Sequence, residues 1–183
     1  MRKFRLVNFV VISTLLLSCS KNQNSVDVSR QWNVDYNGNL IQGQNDGQWG
    51  PKVFSIQEQN LFKGLDTASL SGTTVPDSVL SSSTIIPNPF STQAFFVFTF
   101  SGSYNGQLEF KYVIVNDHMN TMDQGAIRIQ ASTNPNFPSS PSSSGAILFI
   151  PNIPVGKFRM YYSLSAASST SFYTSWGNIQ KTQ

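Results

Sequence analysis

Residues that carry chemistry are scarce in this chain. It has one cysteine, one histidine and only 11% charged residues in 183 positions, where a soluble domain usually has about 25%. With Cys19 as the sole cysteine, no disulfide can form within the chain, and one histidine plus one cysteine cannot supply a normal zinc ligand set. His118 lies in Asn116-Asp117-His118-Met119-Asn120, which reads as a solvated turn. No Gly-x-Ser-x-Gly elbow accompanies it, so a Ser–His–Asp site is not expected. Glycoside hydrolysis needs two placed carboxylates. The nine acids (Asp27, Asp35, Asp46, Glu58, Asp66, Asp77, Glu109, Asp117 and Asp123) form no such pair by sequence. The glycine-rich stretch before Trp49 has no Lys-Ser/Thr ending and precedes no helix, which sets it apart from a phosphate loop. Asp35, Asn37 and Asn39 have the spacing of a calcium loop, with Asp46 at its twelfth position. However, Leu40 stands where the loop needs glycine, and an Asn-rich hairpin turn explains the same residues. The expectation is no enzyme, no catalytic residue, no cofactor and no metal.

Long helical signals are lacking too. No window holds a sustained 3.6-residue apolar period, and nothing repeats at 20 to 50 residues. The longest apolar run, Leu6 to Leu17, is interrupted by Asn8, Ser13 and Thr14. It is shorter than the about 20 residues that a permanent membrane span requires.

What is present begins at the N-terminus. Arg2, Lys3 and Arg5 precede that apolar run, which ends in Leu16-Leu17-Ser18-Cys19. A positive start, a short apolar core and a small residue before the cut make a secretory signal. The four-residue ending resembles the bacterial lipobox: Leu16 and Ser18 fit, and Leu17 is bulkier than the usual middle residue. An ordinary signal peptide with an incidental cysteine is the competing reading. The resemblance implies cleavage before Cys19 and lipid on its thiol, so that the chain's first partner is a membrane. Ser20, not the Asp that retains lipoproteins at the inner membrane, implies onward transport to the outer membrane. Removing residues 1–18 takes away three basic and no acidic residues, leaving nine of each. A basic-patch case for nucleic acid therefore fails on the mature protein. The polar stretch 19–30 is expected to be a flexible tether.

Residues 31–183 are expected to form one all-β domain, an antiparallel, immunoglobulin-like β-sandwich of seven or more strands, with 31–72 as a hairpin extension. Trp32, Val34 and Tyr36 alternate with polar residues before Asn37-Gly38, a type I′ turn signal. Lys52–Gln57 is expected as a short strand and Gln57–Leu65 as a short helix. Strands are expected at Ser78–Ile86, Gln93–Phe100, Leu108–Val115, Ala126–Gln130, Ala146–Ile150, Gly156–Ser165, Phe172–Trp176 and Asn178–Lys181. Asn116–Gly125 and the Ser/Pro/Asn-rich Ser132–Gly145 are expected as connections. Gln93–Phe100 is apolar on both faces, which predicts a strand covered on both sides.

Ile86-Pro87-Asn88-Pro89-Phe90 resembles the opening of the type A C-terminal sorting domains of the Bacteroidetes type IX secretion system. The strand order after it is similar, and Val155 to Tyr161 resembles that family's late Gly-x-Tyr strand. The likeness spans roughly Ile86 to Gln183 and implies a sandwich. It departs at the end, where the family's basic terminal residue is replaced by Lys181-Thr182-Gln183, and in carrying a lipobox. A proline-flanked loop entering a strand explains the same five residues, with Phe90 as the first core side chain.

Trp32, Trp49, Trp176, Tyr161, Tyr162 and Tyr173 are either core or a stacking platform for sugar rings. Trp49, in its glycine-rich loop, is the leading stacking candidate, followed by Trp32 and Trp176. The functional expectation is a non-catalytic, lipid-anchored envelope protein that binds an envelope protein or a glycan. Secretion cargo is the remaining alternative.

Overall fold

The computed structural model describes residues 25–43, 47–65, 79–101, 106–133, 142–166 and 171–183. Cys19, the signal segment and Asp46 lie outside them, as do residues 66–78 and 134–141.

A short hairpin opens the fold: β1 (Asn33–Val34) and β2 (Leu40–Gln42), followed by α1 (Ile56–Asn60). Seven longer strands come next: β3 (Val79–Ile86), β4 (Ala94–Ser101), β5 (Gly106–Val115), β6 (Thr121–Thr133), β7 (Ser142–Phe149), β8 (Gly156–Ala166) and β9 (Ser171–Lys181). All their pairings are antiparallel, in the order β3-β4-β7-β6-β5-β8-β9. β6 pairs with β5 from Thr121 to Ala131, then crosses to β7 through Ser132 and Thr133. Counting the seven strands in order, the first, second and fifth form one layer and the third, sixth and seventh the other, with the fourth shared. This is the immunoglobulin arrangement with a fourth strand that switches sheets.

The core lies between the layers. Phe96 and Phe98 of β4, Phe110 of β5 and Tyr162 of β8 are all buried. The Phe96 and Phe110 rings lie 4.4 Å apart, and those of Phe96 and Tyr162 4.9 Å. Period-2 alternation sends Leu108, Phe110 and Ile114 of β5 into this core. The other face of β5 carries Glu109, Lys111, Val113 and Val115. There Val113, Val115 and Tyr161 make a second apolar cluster with Phe54, Leu61 and Phe62. Val26, Phe54, Leu61, Phe62 and Leu65 thus cover part of the outer face of the β5-β8-β9 layer.

That covering corrects several expectations. The strands covered on both sides are β5 and β8, while β4 leaves Phe95 exposed on its outer face. Residues 25–30 are not a free tether. The Val26 N–H donates to the Asp117 carbonyl (2.9 Å), and the carbonyls of Asp27 and Arg30 accept from Asn178 Nδ2 at 3.1 and 2.7 Å. Residues 51–55 form no strand; the Lys52 N–H donates to Thr174 (2.8 Å) at the edge of β9. Thr121–Gly125, Ser132–Thr133 and Ser142–Gly145 are strand rather than connection, because serine and threonine pair well at a polar sheet end. β9 runs unbroken through Gly177.

The Asn37-Gly38 turn is of another type than expected. Of the two, only Gly38 has a positive φ (80°), and its N–H donates to the Asp35 carbonyl (3.0 Å). This is a type I turn closed by a left-handed residue, not type I′. Asn116–Asn120 repeats it, with Met119 at φ 61° in the glycine's place. Met119 holds that conformation while its sulfur accepts from the Tyr161 hydroxyl (3.7 Å) and its side chain packs into the second cluster. The short helix begins one residue before the expected Gln57–Leu65 and ends at Asn60, with turns over 61–64. Ser55 and Glu58 close a capping box at its start.

Burial also sets the alkaline limit of the fold. It pushes the Tyr112 phenol up to about 12, with the Asp123 carboxylate adding to the effect, and it raises Tyr161 and Tyr162 as well. A folded value above the unfolded one, about 10, gives stability that is complete below the unfolded value and is lost as pH rises through the folded one. The urea midpoint should therefore fall steadily above about pH 10. A midpoint flat through that range would show that these phenols ionise as they do in the unfolded chain.

Candidate functional site

An open cleft of about 720 Å³ lies between α1 and the outer face of β5, β8 and β9. Its floor is set by register: Lys111 faces Ser163, which faces Thr174. Pro51 to Phe54 and the helical segment's Gln59 and Phe62 form the opposite wall. Glu109, two residues from Lys111 on the same strand face, is buried, and its carboxylate lies 3.2 Å from the Lys111 ammonium. Among the described residues, no carboxylate lines the cleft itself. The arrangement offers an apolar wall, hydroxyl groups and two lysines, Lys52 and Lys111, of which Lys111 is engaged by a carboxylate. A concave surface with an apolar wall and a few polar groups is the general form of a small-molecule site.

Lys111 lies in ion-pair contact with the buried Glu109. Lys111→Met should destabilise the fold by about 2 kcal/mol, because it removes one charged partner of a buried carboxylate. Urea unfolding reads this out. The double change with Glu109→Gln should recover most of the loss, and no recovery would show that the pair is not coupled.

The stacking candidates separate. Trp49 is buried at 4% exposure, a correction to its expected place on the surface. Residues 48–52 run along β9, with the Trp49 N–H donating to the Trp176 carbonyl (2.7 Å). The indole turns inward at φ 64° and stacks on Tyr162, centroids 6.1 Å apart. The Trp49 carbonyl accepts from the Ser83 and Tyr173 hydroxyls at 2.9 and 3.0 Å, tying β3 to β9 across the open side of the sandwich. Trp32 is half-buried against the main core. Trp176 is half-buried on the outer face, with the Arg159 guanidinium 3.8 Å above its ring and the Lys52 ammonium 5.7 Å away. Beside it is a small cleft of about 180 Å³, lined by Asp27, Arg30, Gln48, Arg159 and Asn178. Both of its cations are engaged: Arg159 also donates to Asn178 Oδ1 (2.9 Å), and Arg30 pairs with Asp27 at 3.7 Å. The three tryptophans form no shared platform, and Tyr161, Tyr162 and Tyr173 belong to the core.

His118 stands exposed in its turn, 3.8 Å from the Asp117 carboxylate. The Asp35 carboxylate, read as one end of a calcium loop, accepts from the Asn37 and Asn39 N–H groups (both 2.8 Å) and from Asn39 Nδ2 (3.0 Å). Those bonds hold it below its usual range, the Asn39 side chain contributing most. It therefore serves the turn.

Sequence reasoning missed two buried asparagines. Asn88, between Pro87 and Pro89, donates its side-chain amide to the carbonyls of Trp32 (2.9 Å) and Asn178 (3.0 Å) and accepts from the Gln180 N–H (2.9 Å). Its backbone exchanges both hydrogen bonds with Val34. Phe90 is buried and bridges to Lys181 in parallel fashion. The Pro-Asn-Pro-Phe segment is thus the knot that joins the N-terminal segment, the β3–β4 connection and the last strand. Asn178 binds residues 27, 30, 48 and 159 in the same way.

No protein-family model matches this chain, and no curated protein matches it. Among solved structures it is similar to a glycosyl hydrolase family 2 member from Bacteroides cellulosilyticus. The identity is 8% and the TM-score 0.36, over 54% of this chain and 13% of that one. The chain therefore matches only a small part of that protein's length, and a likeness at this level carries no conclusion about activity. The class defined by the architecture is an immunoglobulin-like β-sandwich whose N-terminal segment is bound onto one layer.

Proposed function

We propose that this chain is a non-catalytic, lipid-anchored cell-envelope protein that serves as a binding or assembly module at the outer membrane. The observation that carries this reading is the docking of residues 25–30 onto β8 and β9. It leaves only a few residues between Cys19 and the folded domain, so a lipid on Cys19 would hold the sandwich close to the bilayer. The cleft beneath α1, with its hydroxyls and apolar wall, is the surface offered to a partner. Cys19→Ser should move the protein from the membrane to the soluble fraction with its thermal unfolding unchanged. Membrane retention of that variant would remove the lipid anchor from the account.

A glycan is the second reading, and it rests on the cleft rather than on exposed tryptophans. Purified polysaccharides should perturb the Lys111, Ser163 and Thr174 resonances, and the absence of any shift at those three positions would count against it. The sorting-domain reading predicts a cut upstream of Ile86. In this fold such a cut parts β3 from β4 and residues 25–43 from Asn88, which favours the anchored, uncut form.

A further inference from the structure

The exposed apolar side chains are not scattered. Among the described residues, all the large exposed ones except Val53 and Ile56 gather at one end of the sandwich. Register defines that end. Val115 of β5 pairs with Arg159 near the start of β8, Gly156 pairs with Lys181 at the end of β9, and Phe90 bridges to Lys181. Ala94 at the start of β4 pairs with Phe149 at the end of β7. The loops after β3, β5 and β7 therefore share one rim. Leu148 and Ile150 lie at the end of β7, and Phe95 faces Leu148 across the ladder. Val155 precedes β8. The β1–β2 hairpin, held to Asn88 in the same rim, adds Leu40 and Ile41. Its Gly38 turn lies against Ile86, the register partner of Phe95. A contiguous exposed apolar rim on a folded domain marks a contact surface.

The chain leads back toward Cys19 from this same end. Val26, almost the first described residue, bonds to Asp117 in the β5–β6 turn. The residues from Cys19 to Ser25 reach at most roughly 20 Å when fully extended. Resting on the lipoprotein reading, we infer that this rim seats in the lipid surface that carries the anchor, so that the sandwich stands on the membrane with this end down. The rim also holds Asp35 and Asp117 alongside Lys157 and Lys181. The contact is therefore apolar rather than a matter of net charge, and it should be insensitive to salt.

The test uses the lipidated full chain in phosphatidylethanolamine–phosphatidylglycerol vesicles. Its only native cysteine carries the lipid, so a new cysteine is the single labelling site. Ile150→Cys and Ile41→Cys, labelled with an environment-sensitive dye, should shift to the blue. They should be quenched several-fold more by acyl-chain-brominated lipid than Val53→Cys, which lies beside the cleft. Labels at Ile150 and Ile41 quenched no more than at Val53 would overturn the docking. So would labels shielded from water yet untouched by brominated lipid, the result expected if a second copy or another protein covers the rim. Mass measurement of the same samples separates the two readings: an unacylated Cys19 removes the anchor and the docking together, while an acylated chain with a wet rim removes the docking alone.

Discussion

Gly177→Ala should destabilise the sandwich by about 3 kcal/mol or more, the range for expelling a large aromatic from a packed core. A β-carbon at Gly177 would fall 2.0 Å from Trp49 Cε2 and 2.3 Å from Cζ2, with Cδ2 at 2.4 Å. No rotation of the new methyl relieves three overlaps with one ring. The indole must leave, and it is held there from both ends. The Trp49 backbone carbonyl accepts from Ser83 and Tyr173, and the Trp49 backbone N–H donates to the Trp176 carbonyl at the β9 edge. Glycine inside a strand usually weakens it; here it admits the ring that closes the β3–β9 side. Trp49→Phe, which needs less room over Gly177 and removes a buried indole N–H lacking a partner, should cost less than Trp49→Ala. Thermal unfolding checks all three. A Gly177→Ala protein that melts with the parent would mean that Trp49 is not packed over β9.

Asn88→Ala should cost about 3–5 kcal/mol, the sum of three buried side-chain hydrogen bonds whose partners are left unsatisfied. At about 2–4 °C per kcal/mol for a domain of this size, the melting temperature should fall by roughly 10 °C. Asn88→Asp should be no better, since a carboxylate cannot donate to the carbonyls of Trp32 and Asn178. The loss should also have a local signature: faster amide exchange at Val34 and Gln180, whose N–H groups pair with Asn88. Uniform exchange with an unchanged melting temperature would contradict the account of the Pro-Asn-Pro-Phe segment as a knot.

These residues show where the sequence was legible. Alternation within Gln93–Phe100, Leu108–Val115 and Gly156–Ser165 placed three strands within a residue or two, and the many short strands pointed to a sandwich. Phe90 was legible as a core residue because two prolines fix its approach. The outer faces were harder. Phe95 and Val97 look as apolar as Val113 and Val115, but only the latter are covered, by a segment about 60 residues away in sequence (Phe54). Nothing local separates the two cases. The polar stretches at the end of β6 and the start of β7 read as loop because pairing there satisfies backbone groups without an apolar face. Trp49 was misplaced because a glycine-rich loop ordinarily lies outside. The one available cue was Gly177 between two expected strands, since a glycine within a strand can mark close approach by something large.

The candidate site was less legible than the fold. Lys111, Ser163 and Thr174 sit on three strands and meet only through register. Residues 25–30 carry no apolar period, so their docking through carbonyls onto Asn178 and Arg159 leaves no trace in composition. The resemblance of Leu16-Leu17-Ser18-Cys19 to a lipobox, by contrast, is wholly local, and the proposal for Cys19 rests on it without any geometry.

The most direct test of the central claim is intact and peptide mass spectrometry of the protein isolated from its native membrane. The account predicts a chain that begins at Cys19, carries lipid on it and still ends in Gln183. An unlipidated chain cut upstream of Ile86 would contradict it and make this molecule secretion cargo.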